Sequence, residues 1–312
     1  MPGGVGWVGG APPWVGVSLA GSGGVGCVLC GHRVVTWRLP GEGRLLRVSI
    51  DSHPYLAGPH PRAFAHRGWH LGELSGMENS LSALRRAVAE GFRYLETDVH
   101  ATSDGVVVVH HDAVLDRTTD GVGAVAGLPW SVVGAAKVGG REPVCRLEDA
   151  LEELPGAFFN IDVKSDAAVG PVLGVLRRSG ALDRVCLASF SDARLARLRR
   201  LGGPGLLTSM GPLSVGALWA SGRVAGLPVG GVVRGAMAQV PVRQGPLTVV
   251  DGRFVAAARR RGVEVHVWTV DEEVEMRRLL DLGVDGLVTD RPDVLREVLR
   301  SRGCWPADAG GA

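Results

Sequence analysis

Lysine and isoleucine are almost missing from this 312-residue chain: Lys137 and Lys164 are its only lysines, Ile50 and Ile161 its only isoleucines. Arginine and valine stand in their places, as a GC-rich coding bias would produce. A run such as Arg259-Arg260-Arg261 therefore reads as a solvated helix face rather than a binding patch. Aromatic residues make up only 5% of the chain, and the formal net charge of +2 is spread along it, which argues against a nucleic-acid footprint. Five cysteines are too few and too scattered for a disulfide framework. The lone Cys27-x-x-Cys30 has no second pair and no βαβ context for metal or redox work. Such cysteine usage fits a reducing, cytoplasmic setting. No Asp, Glu, Lys or Arg precedes Arg33, so the basic start of a secretory signal is lacking. The many glycines there, with Pro12 and Pro13, make a poor helix, so no stable membrane span of ~20 apolar residues is expected. Residues 1–50 read as a low-complexity Gly/Val-rich extension, disordered or a mis-called start. Residues 301–312 read as a disordered tail.

What remains is rich in core-forming residues, with 46% of the chain hydrophobic. Between residues 61 and 300 short apolar runs alternate with amphipathic stretches. Phe64 to His66 reads as a strand, and Asn79-Ser80 caps a helix carrying Leu81, Leu84 and Val88. Tyr94 to His100, Val106 to His111 and Phe158 to Lys164 read as further strands. Later strands are predicted at 185–190, 206–210, within 231–240, at 263–270 and at 286–289. Asp271 is expected to cap a helix with Val274, Leu279 and Leu282 inward, and Pro292 to open the last helix. Alternation of this kind with near-continuous apolar strands means a parallel sheet covered by helices. About eight units in ~240 residues suit a (β/α)8 TIM barrel better than a doubly wound sheet. No G-x-G-x-x-G follows the first strand, which weakens a dinucleotide reading.

Four of those strands end in ionisable residues, where a barrel keeps its active site. Glu96 and Asp98, at i and i+2, face the same way with α-carbons ~6.5–7 Å apart. Two such carboxylates can share a hard cation at ~2.0–2.6 Å, and Asp162 on another strand is a third candidate ligand. Oxygen ligation points to Mg²⁺ or Ca²⁺ rather than zinc. His66 and His111 are candidates for general acid and base. Of the adjacent His110 and His111 only one can look inward, and it is His111 if Val107 and Val109 fill the barrel. Arg67 and Lys164 add positive charge suited to a phosphate. His100 shares the face of Glu96 but reads equally as a satisfied loop residue, and Asp112 either orients His111 or begins a turn.

These residues lie in an ordered set of motifs: His66-Arg67-Gly68, Glu78-Asn79-Ser80, Glu96-Thr97-Asp98-Val99, His111-Asp112 through Leu115 to Arg117-Thr118-Thr119, Trp268-Thr269-Val270 and Thr289-Asp290-Arg291-Pro292. The set resembles the glycerophosphodiester phosphodiesterases over residues 63 to about 298. The resemblance implies a barrel of the PLC-like phosphodiesterase type and hydrolysis of glycerophosphodiesters to sn-glycerol 3-phosphate and an alcohol. It implies His66 and His111 as the acid/base pair, and Glu96, Asp98 and Asp162 around one Mg²⁺ or Ca²⁺. It also implies Arg67 and Lys164 on the phosphate and Trp268 as a substrate-facing wall. Asp162 departs from the family's usual glutamate by one methylene, and Met77 replaces a proline before Glu78, loosening the helix start. The rival activity is a phospholipase D-like or lysophospholipid phosphodiesterase on the same barrel. It needs an apolar approach surface, for which Trp69, Trp130 and Trp219 are the only candidates in sight.

Overall fold

A computed structural model describes residues 34–38, 45–49 and 53–305. Eight parallel strands form the barrel: β1 (Arg62–His66), β2 (Tyr94–Ala101), β3 (Phe158–Val163), β4 (Val185–Ala188), β5 (Leu207–Thr208), β6 (Met237–Pro241), β7 (Glu264–Trp268) and β8 (Gly286–Thr289). Each is followed by a helix: α1 (Leu81–Ala89), α2 (Leu147–Glu153), α3 (Val169–Arg178), α4 (Asp192–Gly202), α5 (Pro212–Ser221), α6 (Gly252–Arg259), α7 (Glu273–Leu282) and α8 (Pro292–Ser301). Neighbours pair in chain order, and β8 returns to β1. A single bridge, Ser209 to Met237, closes the ring between β5 and β6. There Gly235 has φ +118°, and a Cβ on it would lie 2.6 Å from the Ser209 carbonyl oxygen, so the seam requires glycine.

Capping explains most helix boundaries. Ser80, Ser191 and Asp251 accept the backbone N–H three residues on, starting α1, α4 and α6. Gly283, left-handed at φ +87°, stops α7. Pro292 sits in the first turn of α8 as expected.

Several expectations need correction. Val107–Val109 is not a barrel stave; it folds back antiparallel on the end of β2. It starts an excursion to Arg146 with its own small core of Val108, Leu115, Val125, Val133 and Val138. Met77 is buried in that core, so it fills space rather than loosening a helix. Asp271 does not cap α7: its Oδ1 accepts from the Thr289 hydroxyl and the Asp290 N–H. Val274 is 80% exposed, and Met276, Leu279 and Leu280 are the buried face instead.

The barrel also reaches beyond 61–300 at both ends. Tyr55, fully buried, plugs its floor against Phe64, Tyr94, Met237 and Val288. Trp305, expected in a disordered tail, packs edge-to-face on Phe92 at 4.9 Å. Of the N-terminal extension, Val34–Arg38 and Leu45–Ser49 pair antiparallel. The remainder of that expectation, including Cys27 and Cys30, and the tail from 306 onward lie outside the described residues.

Candidate active site

Pleat direction sends alternate residues of each strand into the barrel. On β2 this lines up Tyr94, Glu96 and Asp98, and on β3 Asn160 and Asp162, with Asp98 directly beside Asp162 in register. The lower part of the bore is closed by Arg62, whose guanidinium makes bonds of 2.7 and 2.8 Å to Glu264. The upper part opens into a cavity of about 590 Å³. His66, Arg67, Glu96, Asp98, His111, Asp162, Lys164 and Trp268 all line it. These eight side chains, drawn from separate elements, thus reach one space.

Both histidines are oriented by an aspartate. His66 Nδ1 lies 2.6 Å from Asp290 Oδ1, and His111 Nδ1 lies 2.6 Å from Asp112 Oδ1. A carboxylate oxygen only accepts, so each Nδ1 carries a proton and each Nε2 is left for proton transfer. Asp290 also accepts from His70 Nε2 at 3.2 Å. Two histidine partners hold Asp290, against its burial, well below the usual carboxylate range. Arg117 bonds both Asp112 and Glu78, and Glu78 bonds Arg67, so the two motif loops are laced together. His100 is buried and donates through Nε2 to the His111 carbonyl at 3.1 Å. His110, turned the other way, bonds the Val114 carbonyl at 2.9 Å.

The turn after β1 is tight. Arg67 has φ +56°, a region a non-glycine residue enters at some cost, and Asn79 across from it has φ +59°. The two are tied by Asn79 N–H to the Arg67 carbonyl at 2.9 Å. Gly68 lies against α1, where a Cβ would meet the Ala83 carbonyl carbon at 2.7 Å. Asn79 in turn donates to Asp98 Oδ2 at 2.9 Å and accepts from Thr97. Asn79, Asp290 and Glu78 belong to this network, although residue type and strand position alone do not assign them to the site. Their place in Glu78-Asn79-Ser80 and Thr289-Asp290-Arg291-Pro292 is the sequence signal that points to them.

The acids sit in unequal environments. Burial, with Asp98 nearby, pushes Glu96 up to about 8; the His66 imidazole 3.7 Å away offsets this only in part. Burial also pushes Asp162 up. Asp98 is equally buried, but Lys164 at 2.8 Å and Arg67 hold it below the usual range. Lys164 also bonds Asp162 Oδ2 at 2.7 Å. Among the described residues no three His, Cys, Asp or Glu side chains gather around one point, because the Lys164 ammonium stands between two of the three acids. The donor set still fits a hard dication: the candidate donors are all oxygens, and Asp162 Oδ1 is buried without a hydrogen-bond partner.

Residues 66–294 match the Glycerophosphoryl diester phosphodiesterase family. A probable glycerophosphodiester phosphodiesterase 2 of Mycobacterium tuberculosis is 40% identical over 252 residues, covering 78% of this chain and 92% of that protein. A glycerophosphodiester phosphodiesterase structure from Agrobacterium tumefaciens superposes with a TM-score of 0.62 at 28% identity, covering 77% of this chain and 99% of that one. A phosphodiesterase from Oleispira antarctica, solved with its product sn-glycerol-3-phosphate, shares the fold with a TM-score of 0.64 at 24% identity, over 77% of this chain and 97% of that one. The chain belongs to the glycerophosphoryl diester phosphodiesterase family. Its activity is accordingly phosphodiester hydrolysis, and the family's divalent cation comes with that membership.

Proposed function

We propose that this protein hydrolyses glycerophosphodiesters to sn-glycerol 3-phosphate and an alcohol, with His66 and His111 as its acid/base pair. The observation that carries this reading is two imidazoles, each pinned at Nδ1 by its own aspartate, on the wall of a cavity that also holds three buried acids and two cations. Glu96, Asp98 and Asp162 would hold one Mg²⁺ or Ca²⁺, which when bound neutralises phosphoryl oxygens and makes phosphorus more electrophilic.

The residues supply the remaining chemistry. Arg67 and Lys164 carry the positive charge that attracts the phosphodiester anion. One imidazole, neutral, accepts the proton of the nucleophile, a water or the substrate's own 2-hydroxyl, through its free Nε2. The other, protonated, donates a proton to the leaving oxygen as the phosphorus–oxygen bond breaks, so that an alcohol departs instead of an alkoxide. Trp268, half-buried and edge-to-face with Phe190 at 5.6 Å, forms a side wall for the substrate.

The setting is part of the proposal: a cytoplasmic enzyme, supported by free Cys145, Cys186 and Cys304 among the described residues. No helix among the described residues is long and apolar enough to cross a membrane. The test is release of glycerol 3-phosphate from a panel of glycerophosphodiesters with Mg²⁺ or Ca²⁺ present. Absence of product with every member and either ion would remove the reading.

A further inference from the structure

One polar pair in the cavity takes no part in the chemistry above. Gln239 on β6 reaches across the bore and donates through Nε2 to Asn160 Oδ1 on β3 at 2.8 Å. Both line the cavity, with Asn160 buried and Gln239 half-buried. Neither amide has another hydrogen-bond partner among the described residues, so Asn160 Nδ2 is left to donate and Gln239 Oε1 to accept. Turning both amides over exchanges those atoms but keeps one donor and one acceptor. Other polar groups of that wall are engaged or peripheral. Ser189 donates to the Val163 carbonyl at 3.0 Å, and Gln244 is exposed on the hairpin opposite Leu247. A hydroxyl group matches the amide pair, because one oxygen both donates and accepts.

The level of the pair in the barrel says which hydroxyl. Asn160 stands beside Glu96 in register and two residues before Asp162 on the same face of β3. A phosphate drawn to Lys164, which bonds Asp98 and Asp162, sits one side-chain layer above the amides. An extended glycerol phosphate holds its terminal hydroxyl nearly as far from phosphorus as the ~6.5–7 Å between alternate α-carbons of a strand. Beneath the amides the bore is filled by Phe64 and shut by Arg62 on Glu264, so a longer group has no room. The leaving alcohol is then turned toward the mouth, where Phe190, Trp219 and Leu247 form an apolar wall.

We infer that Asn160 and Gln239 read the terminal hydroxyl of the glycerol moiety and so select a glycerol on which that hydroxyl is free. A glycerol that lacks it, or carries an acyl group on it, is a poor substrate. The inference rests on the hydrolytic reading above and adds two specificity-determining residues to it.

The full chain with Mg²⁺ or Ca²⁺ is given sn-glycero-3-phosphocholine, sn-glycero-3-phosphoethanolamine and sn-glycero-3-phosphoethanol, each beside its 1-deoxy analogue. The analogues keep the 2-hydroxyl, so any nucleophilic role of that group is untouched. Release of the head-group alcohol is measured for both forms. The glycerol form is expected to be preferred about tenfold in kcat/KM, the effect of one well-partnered hydroxyl. The preference falls mostly on KM, because the contact is remote from the bond that breaks. Gln239→Met, of similar length but apolar, removes it by slowing the glycerol forms to the analogue rate, and Gln239→Ala does the same. Equal wild-type rates on both forms overturn the inference and leave the hydrolytic reading standing. A preference kept in both variants also overturns it. So does a variant that slows both forms by the same factor, since the pair then only braces the barrel. No turnover of any substrate overturns the inference and the hydrolytic reading together.

Discussion

Two buried glutamates inside one barrel are driven in opposite directions. Glu264, near the floor, is 4% exposed; Glu96, two layers higher, is 7% exposed. Burial raises both. At Glu264 two bonds from Arg62 and one from His266 at 3.0 Å overcome it and hold the carboxylate well below its usual range. Glu96 has the Arg67 N–H at 3.3 Å, an imidazole at 3.7 Å and the more distant Lys164 charge, with burial, Asp98 and Asp162 working against them, and rises to about 8. Equal burial with unequal partners separates a carboxylate held in a structural ion pair from one left short of compensating charge.

The largest effect expected is loss of cation. Chelation with EDTA should abolish turnover while circular dichroism stays native, with Mg²⁺ or Ca²⁺ restoring activity; activity that survives chelation would make the upper acids structural like Glu264. Next, His66→Ala and His111→Ala should each lower kcat by about 10²–10⁴-fold with the fold intact. Near-normal rates in either would remove that residue from acid/base work.

Glu264→Gln tests the lower member. It leaves Arg62 buried and short of its counter-ion, and should cost about 3–5 kcal/mol in urea unfolding. A loss under 1 kcal/mol would mean the floor tolerates an unpaired charge. Asp290→Ala should reduce kcat about 10²-fold with little change in KM, and should cost nothing further in a His66→Ala background. Additive losses would instead show a general structural role.

The smallest effect concerns pH. Glu96 has a raised folded value, so its ionisation opposes folding as pH climbs from its ordinary value toward 8. Glu264 has a lowered value, so its stabilisation is full above its ordinary value and fades as pH falls below it. In chelated protein at pH 9, Glu96→Gln should therefore be neutral or stabilising by about 1 kcal/mol. Destabilisation of that size would mean Glu96 is already well partnered.

The barrel was legible from the sequence because its strands are apolar runs ending at Gly, Pro and cap residues, and Ser80, Gly283 and Pro292 do what their types dictate. The reaching of one cavity by His66, Glu96, Asp98 and Asp162 follows from strand parity and parallel register. Other features depend on contacts distant in sequence. Val107–Val109 reads like any strand, and only its pairing reveals an arm. Asp271 has the type of a cap, but Thr289 and Asp290 compete for its oxygen. Of the apolar lining the sequence points to Trp219 and Trp268, whereas Met210 and Leu247 come from separate elements, each unremarkable alone.

The single bridge between Ser209 and Met237 has a mechanical corollary. Strand pairing runs five residues deep between β6 and β7 and six between β2 and β3, but the β5–β6 join is one rung thick. Compliance in the cylinder is thus concentrated at its weakest lap joint, beside Met210 and the apolar wall. The acids are anchored on its stiffest staves. A bulky guest can be accommodated by give on one side while the spacing of the charged groups on the other is preserved.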